Sequence, residues 1–157
     1  PVFGKANVNV LLANVVTLIG RQKELEKLSI EQNYSPETMT IYGDTNQLQQ
    51  VLLNMVLNAI DATTDGGEIK ITTTRVDDDI QIIFEDTGCG IAPENLDKVF
   101  EPFFSTKPPG KGTGLGLSIC YGIIEEHKGK ISVSSCGIGK GTAFTISLPV
   151  DEETCSA

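Results

Sequence analysis

The sequence contains a stretch in which polar side chains recur at helical spacing, and such side chains could bind a ligand. Read as a helix, residues 46–64 (NQLQQVLLNMVLNAIDATT) are apolar around most of the circumference. We therefore expect burial on several sides, where an amide without a hydrogen-bond partner costs about 1–3 kcal/mol. The polar stripe faces other polar groups or a ligand, or it only meets water at the edge of a cleft. Its members are Gln47, Gln50, Asn54, Asn58 and Asp61.

A second candidate is the turn at residues 86–90 (DTGCG), which directly follows an apolar strand. Gly88 and Gly90 allow positive φ and a close backbone approach. The carboxylate of Asp86, at the end of a strand beside such a turn, could accept a hydrogen bond from an exocyclic amine such as that of adenine. The alternative is a turn that only reverses the chain.

The strongest local signal is the glycine-rich stretch at residues 110–116 (GKGTGLG), which leads into the apolar LSICYGIIEEH. The unpaired N–H groups and the dipole of a helix N-terminus suit an anion such as phosphate. The stretch is neither GxxxxGK[ST] nor GxGxxG, so it indicates neither a P-loop enzyme nor a dinucleotide fold. A flexible linker is the alternative.

The elements that must position these residues follow from hydrophobic periodicity. Helical spacing predicts helices over residues 8–27, 46–64 and 114–127, and a proline at its start predicts a short helix over 93–100. Alternating segments predict strands over 28–32 and 38–42, and hairpins formed by 69–75 with 80–84 and by 130–135 with 142–149. Residues 101–113 are predicted to form a mobile loop. The expected fold is an α/β (α+β) two-layer sandwich with three main helices on one face of a mixed sheet.

Composition limits the possible classes of protein. The 157 residues suit a single domain, predicted over 1–150, with a flexible acidic tail over 151–157. The net charge of -9 argues against a nucleic-acid backbone or an anionic membrane as main partner. No apolar run approaches the roughly 20 residues of a membrane span. The chain starts at Pro1, and we expect it to be a fragment of a longer protein in a reducing, cytoplasmic environment.

Taken together, four stretches resemble a known family. Its N box is similar to residues 54–59 (NMVLNA), its first glycine box to 86–91 (DTGCGI), its F box to 99–104 (VFEPFF) and its second glycine box to 112–117 (GTGLGL). The family is the catalytic ATP-binding domain of bacterial two-component sensor histidine kinases, within the gyrase, Hsp90, histidine kinase and MutL group of ATPases. The resemblance implies a Bergerat-type fold, a left-handed βαβ sandwich with a mostly antiparallel sheet, which binds ATP and Mg²⁺ under a mobile lid.

The resemblance also implies roles for individual residues. Asn58 would bind Mg²⁺ and take part in catalysis, with Asn54 beside it near the phosphates, and Asp86 would hold the adenine amino group. The base would be lined by Gly88, Gly90, Ile91 and Val99, with Thr142 closing it, and Phe104 and the lid would cover the nucleotide. The N–H groups of Gly114, Leu115, Gly116 and Leu117 would hold the phosphates. The remaining cofactor-binding residues would be Asp61, Ala62, Gly112 and Thr113.

The chain departs from the family at three places. The ATPase branches carry a water-activating glutamate where this chain has Asn54, which favours transfer to a protein over hydrolysis. Many relatives have an arginine after the F box, whereas Ser105 stands here. Lys107 or Lys111 could supply that phosphate-facing charge, with Lys107 as a catalytic candidate, or both could be solvated lid lysines. Thr87 and Cys89 replace commoner residues in the first glycine box, with little effect expected.

The only histidine, His127, ends a helix in the stretch EEHKGK, where a cation or a C-cap is expected. It resembles the family's histidine before the last hairpin and not the phosphoacceptor. The resemblance therefore implies transfer of the γ-phosphoryl group of Mg-ATP to a histidine on a separate dimerisation and phosphoacceptor domain, with a response regulator as an indirect partner. The isolated domain is expected to be monomeric and the parent kinase homodimeric. The alternatives are a nucleotide-gated switch of the gyrase/Hsp90 type and a regulatory domain without transfer.

Overall fold

The computed structural model describes residues 1–20, 28–37, 39–63, 66–102, 104 and 116–151. Within these ranges the chain alternates between strands and helices. The strands are β1 (Gly4–Asn7), β2 (Ser29–Asn33), β3 (Thr40–Gly43), β4 (Glu68–Val76), β5 (Asp79–Asp86), β6 (Lys130–Ser134) and β7 (Thr142–Pro149). The helices are α1 (Val8–Ile19), α2 (Thr45–Ala62) and α3 (Gly116–Glu126).

The main sheet has five strands in the order β2-β4-β5-β7-β6. Strand β2 pairs with β4 in parallel, and the other three pairings are antiparallel. A separate antiparallel pair is formed by β1 and β3. The sheet is therefore mixed and mostly antiparallel, which agrees with the fold class expected from the sequence.

The core lies between this sheet and the helices. Helix α2 packs between α1 and α3 and also against β5. Strand β5 alternates, with Ile80, Ile82 and Phe84 buried on the face toward the core. The same period-2 pattern continues on β4 and β7. The apolar character of α2 around most of its circumference is explained by these three neighbours.

Some boundaries differ from the expectation. Strand β1 was not predicted, because only four residues pair with β3 and four residues give little periodicity. The short helix expected over 93–100 is a 3₁₀ helix at Pro93–Asn95 followed by turns. Helix α1 ends at Ile19, and residues 21–27 of the predicted helix lie outside the described residues.

Asp151, which the sequence assigned to the acidic tail, belongs to the folded part of the chain. Its exposed fraction is 6%, and its backbone N–H donates to the Thr40 carbonyl at 3.0 Å. Residues 152–157 lie outside the described residues. In the part of the chain that is described, no helix is both long enough and apolar enough to cross a membrane.

Candidate functional site

Asp86 is the last residue of β5 and occupies a position that faces the core. The alternation that buries Ile80, Ile82 and Phe84 continues to Asp86, whose exposed fraction is 9%. Its antiparallel partner on β7 is Thr142, which is also buried. A carboxylate and a hydroxyl thus replace apolar side chains at one end of the buried sheet face.

The environment of Asp86 acts on its charge in two opposing ways. Burial raises the pKa of the Asp86 carboxyl above its ordinary value, because the charged form is poorly solvated. Backbone hydrogen bonds from Gly88 and Thr142 act against this rise. The Gly88 N–H donates to Asp86 Oδ1 at 2.9 Å. An ionised carboxylate has about four acceptor sites, so Asp86 keeps acceptor capacity for a ligand that donates hydrogen bonds.

The turn after Asp86 is attached to the C-terminal end of α2. The Cys89 N–H donates to the Ala62 carbonyl at 2.8 Å. A Cβ atom on Gly88 would lie 2.1 Å from that carbonyl oxygen, so only glycine permits this approach. The close contact expected for the first glycine box is therefore present, and it joins Asp86 to the helix that carries Asn54 and Asn58.

The other side of the turn is held by a glycine-rich loop at residues 135–141. The Gly139 N–H donates to the Cys89 carbonyl at 2.7 Å, and the Gly141 N–H donates to the Gly88 carbonyl at 3.2 Å. Gly90 and Gly141 have φ of +71° and +77°, which other residues rarely adopt.

Ser135 completes this attachment through its hydroxyl. The Ile91 N–H donates to Ser135 Oγ at 3.0 Å, and this hydroxyl donates to the Gly141 carbonyl at 2.7 Å. The sequence predicted Ser135 at the end of a hairpin strand and Gly141 in the loop that follows it. The dense glycines of GIGKG were the available signal that this loop makes close backbone contacts.

The polar stripe of α2 lies partly at the surface and partly against α3. Asn54 and Asn58 are half-buried, whereas Asp61 is exposed and Ala62 is half-buried. Asn54 Nδ2 donates to Cys120 Sγ at 3.6 Å, which links α2 to α3. Burial raises the pKa of the Cys120 thiol to about 11, so this group stays protonated at neutral pH. The sequence analysis did not connect Cys120 with Asn54.

The F box is joined to the same region through aromatic contacts. The ring centroid of Phe100 lies 5.6 Å from that of Tyr121 on α3 and 6.1 Å from that of Phe144 on β7. Val99 is buried and Phe104 is half-buried. Gly116 and Leu117 form the first turn of α3 and are half-buried. The predicted site residues Lys107, Lys111, Gly112, Thr113, Gly114 and Leu115 lie outside the described residues.

This geometry can be compared with known proteins. The family model for "Histidine kinase-, DNA gyrase B-, and HSP90-like ATPase" matches residues 43–152, which is well over half of the chain. The chain belongs to this family. The matched range contains α2, the turn after Asp86, α3 and the loop at residues 135–141, so all the contacts above lie within the ATPase family domain.

The similar proteins are histidine kinases. Sporulation kinase A of Bacillus subtilis (strain 168) is 40% identical over 143 residues, which are 91% of this chain and 23% of that kinase. This chain therefore spans less than a quarter of that relative's length. A nucleotide-free structure of the catalytic domain of histidine kinase ThkA has a TM-score of 0.86 and 34% identity, and the match covers 98% of this chain and 99% of that one.

ThkA is also known in complex with the response regulator protein TrrA. That kinase chain has a TM-score of 0.81 and 32% identity, and the match covers 96% of this chain and 42% of that one. The resemblance stated from the four sequence boxes is thereby confirmed at the level of the family and its histidine-kinase branch.

The residues of this ATPase family domain can be tested for their fit to Mg²⁺. Among the described residues, no group of three or more His, Cys, Asp or Glu side chains could hold a metal ion. Mg²⁺ in phosphate sites keeps several waters and takes one or two protein oxygens, the rest coming from the phosphates. A single amide oxygen, such as that of the half-buried Asn58, fits this donor set.

His127 lies at the opposite end of the family domain from the turn after Asp86. The ring is buried, and its Nδ1 donates to the Ile123 carbonyl at 2.7 Å while its Nε2 accepts from the Asp44 N–H at 3.0 Å. The C-cap role expected for His127 is confirmed, because Ile123 lies in the last turn of α3. The cation role also expected for His127 does not fit this geometry, since an Nε2 that accepts a hydrogen bond carries no proton.

Proposed function

We propose that this chain binds Mg-ATP and transfers its γ-phosphoryl group to a histidine on a separate phosphoacceptor domain. One observation carries the proposal. The buried Asp86 carboxylate ends a core-facing strand, and its glycine turn is held between the end of α2 and the loop at residues 135–141. Such a carboxylate suits a planar, hydrogen-bond-donating ring better than it suits water, because burial penalises its charge.

In this proposal Asp86 accepts a hydrogen bond from the adenine amino group. Gly88, Gly90 and Ile91 form one wall of the base pocket, and the two glycines let this backbone pack against the carbonyls of Ala62 and Gly137. Val99 and Thr142 complete the lining, and Phe104 covers the nucleotide together with the lid. These assignments are supported by the burial of Val99 and Thr142 and by the pairing of Thr142 with Asp86.

The phosphates are proposed to lie between α2 and the start of α3. The first-turn N–H groups of α3, at Gly116 and Leu117, are not used within the helix and suit an anion. Asn58 would give its amide oxygen to Mg²⁺, which neutralises phosphate charge when bound. Asn54 is oriented by Cys120 and stands one helical turn before Asn58. Lid residues Lys107, Lys111, Gly112, Thr113, Gly114 and Leu115, together with Asp61 and Ala62, complete the proposed binding set.

Transfer is favoured over hydrolysis by the residue at position 54. An amide cannot take a proton from water, so Asn54 cannot be the general base that an ATPase requires. The chain's own contribution would be to hold the nucleotide and orient the γ-phosphoryl group, which accounts for most of the catalysis in phosphoryl transfer. The proposal includes a cytoplasmic location, a homodimeric parent kinase and a response regulator as the next acceptor, as the ThkA–TrrA complex suggests.

The test is to incubate this chain with γ-labelled ATP, Mg²⁺ and a separately produced phosphoacceptor hairpin. We expect acid-labile label on the hairpin histidine, and no label when that histidine is replaced by glutamine. Steady phosphate release without labelled hairpin would indicate a nucleotide-gated ATPase. ATP binding with neither product would indicate a regulatory domain, and either outcome would overturn the proposed transfer.

A further inference from the structure

The ends of α2 and α3 that lie away from the proposed nucleotide site are tied together by one imidazole. His127 follows directly after α3, and its exposed fraction is 5%. Its Nε2 accepts from the N–H of Asp44, the residue that caps α2. Its Nδ1 donates to the Ile123 carbonyl in the last turn of α3. One ring therefore bonds the beginning of one helix and the end of the other.

The same point receives the first residues of the chain. The Asp44 carboxylate accepts from the Gln47 N–H at 3.0 Å and from the Val2 N–H at 2.7 Å. The Phe3 ring stacks on the His127 ring, with centroids 4.8 Å apart and an interplanar angle of 20°. The segment at residues 2–3, the cap of α2 and the end of α3 thus share a single junction.

The His127 ring is tightly packed on the side that faces Gly43 and Leu48. A Cβ atom on Gly43 would lie 2.6 Å from His127 Cδ2 and 2.8 Å from Leu48 Cδ1. Because the ring is bonded through both nitrogens, stacked on one face and packed at its edge, a change in its position must move Asp44 or Ile123. Through the imidazole ring, a shift of one helix at this junction therefore shifts the other helix.

The opposite ends of the same two helices carry the residues proposed to bind nucleotide. The start of α2 meets the end of α3 at His127, and Asn54 meets Cys120 midway, so the helices run antiparallel. Asn58 lies fourteen residues after Asp44, a distance of about 20 Å along the helix axis. The end of α2 consequently faces the beginning of α3, where the phosphates are proposed to lie.

We propose that His127 is a positioning residue for the nucleotide site. By joining the segment at residues 2–3, the cap of α2 and the end of α3, it fixes how far Asn58 stands from the first turn of α3. The inference rests on the proposed nucleotide binding. It adds that displacement of the segment at residues 2–3 changes nucleotide affinity, and that bound nucleotide stabilises the docking of this segment by the same factor.

Two variants separate the polar contacts of the ring. His127→Gln keeps an acceptor near the position of Nε2 and so preserves the bond from Asp44, which connects the two helices. His127→Asn keeps a donor near the position of Nδ1, which bonds Ile123 within α3 alone. If the bond between Asp44 and His127 determines the geometry of the nucleotide site, His127→Gln retains nucleotide affinity and His127→Asn loses it. If His127 only stabilised the fold, the two variants would not differ in nucleotide affinity.

The experiment measures the Kd for Mg-ATP by calorimetry, at a temperature where circular dichroism shows each variant folded. We expect Kd within twofold of the original chain for His127→Gln, and about fivefold or more weaker for His127→Asn. Phe3→Ala should weaken binding similarly, and its effect should not add to that of His127→Asn, because both act through one junction. Ile30→Ala, on the edge strand β2 and away from the His127 junction, is the control for a general loss of stability.

Equal affinities for the glutamine and asparagine variants would overturn the proposal, as would additive effects of Phe3→Ala and His127→Asn. A second measurement does not depend on nucleotide: amide chemical shifts of Asn58 and Leu117 in the free chain should move in His127→Asn and stay in His127→Gln. If the unaltered chain does not bind ATP, the proposed function fails, while these shifts still decide whether His127 positions the helices. Unmoved shifts in His127→Asn would reject that role.

Discussion

At the scale of single residues, Asp86 shows a conflict between stability and binding. A carboxylate on the core face of β5 is penalised by its burial, which raises its pKa despite the backbone hydrogen bonds from Gly88 and Thr142. An asparagine would keep an acceptor for the Gly88 N–H and remove the charge. The residue is therefore better explained by what it binds than by what it stabilises.

Asp86→Asn should weaken ATP binding about tenfold or more, because a hydrogen bond to a charged group contributes about 1.5–3 kcal/mol. The loss should persist without Mg²⁺, since the contact is to the base. Calorimetry with and without Mg²⁺ measures the Kd for ATP under both conditions. Glu85→Gln, one residue earlier and exposed on the other face, is the matched control and should bind normally. An unchanged Kd in Asp86→Asn would show that the adenine assignment is wrong.

The pH dependence of unfolding should report the same carboxyl. The pKa of Asp86 is raised above 3.8 in the folded chain. At pH values between 3.8 and this raised pKa, the native state therefore binds more protons than the unfolded state. The free energy of unfolding of the original chain should therefore fall relative to that of Asp86→Asn as pH rises through this interval. Urea unfolding of both chains from pH 4 to pH 7 measures the difference. A difference that grows in the original chain's favour would contradict the buried-charge interpretation.

Asn58 is predicted to act through the metal and not through the base. Asn58→Ala should remove most of the increase in ATP affinity that Mg²⁺ produces, while affinity in the presence of a chelator should stay close to that of the original chain. Titrations with Mg²⁺ or EDTA separate the two contributions. Gln50→Ala, on the same stripe but exposed, serves as the control. The metal assignment is lost if Asn58→Ala retains the full response to Mg²⁺.

At the scale of elements, the site depends on how closely the turn after β5 approaches α2. Gly88→Ala would place a methyl group 2.1 Å from the Ala62 carbonyl oxygen and force the turn away from the helix. We expect it to cost about 1–3 kcal/mol of the free energy of unfolding, as overpacking does, and to weaken ATP binding. Urea unfolding and calorimetry measure the two effects.

Gly122 gives the contrasting control for that substitution. A Cβ atom on Gly122 would meet no heavy atom within 4 Å, and the residue lies inside α3. Gly122→Ala should therefore raise the free energy of unfolding by about 0.5–1 kcal/mol through helix propensity. If both alanine variants are equally tolerated, the close approach at Gly88 is not required.

The sequence predicted long periodic elements well and short or non-local contacts poorly. Helix α2 and the β6–β7 hairpin were placed within about two residues of their ends, because their apolar patterns repeat along many residues. Strand β1 and the contact of Ser135 with Ile91 depend on partners distant in the chain, so no local sequence pattern predicts them. Asp86 was found because it follows an apolar strand and begins a glycine-rich turn, but its burial could be seen only from the pairing of β5 with β7.

At the scale of the whole molecule, the domain closes beyond the last strand. The Val150 N–H donates to the Asp78 carbonyl at 2.9 Å, and the side chain of Val150 is buried. Asp151 follows with its own bond to Thr40. The fold is completed only when residues 150 and 151 return to the hairpin turn after β4 and to β3.

Truncation tests this boundary. Removing residues 152–157 should leave the free energy of unfolding unchanged within error. Removing residues 150–157 should lower it by about 1.5–3 kcal/mol, which is the contribution of one buried valine side chain, and more if the Asp151 bond contributes. Urea unfolding of the three chains makes the comparison. Equal stability of the original chain and the chain without residues 150–157 would place the end of the domain before Val150.

Asp86 shares its strand face with three core side chains, so the binding site forms only when the sheet folds in the correct register. A slip of β5 by one position against β7 would turn the carboxylate to the solvent side and bring Glu85 inward. A chain with the wrong register between β5 and β7 would therefore lack the Asp86 binding site. Capture on an immobilised adenine nucleotide would select chains whose strand pairing is right, and the fraction retained would count them.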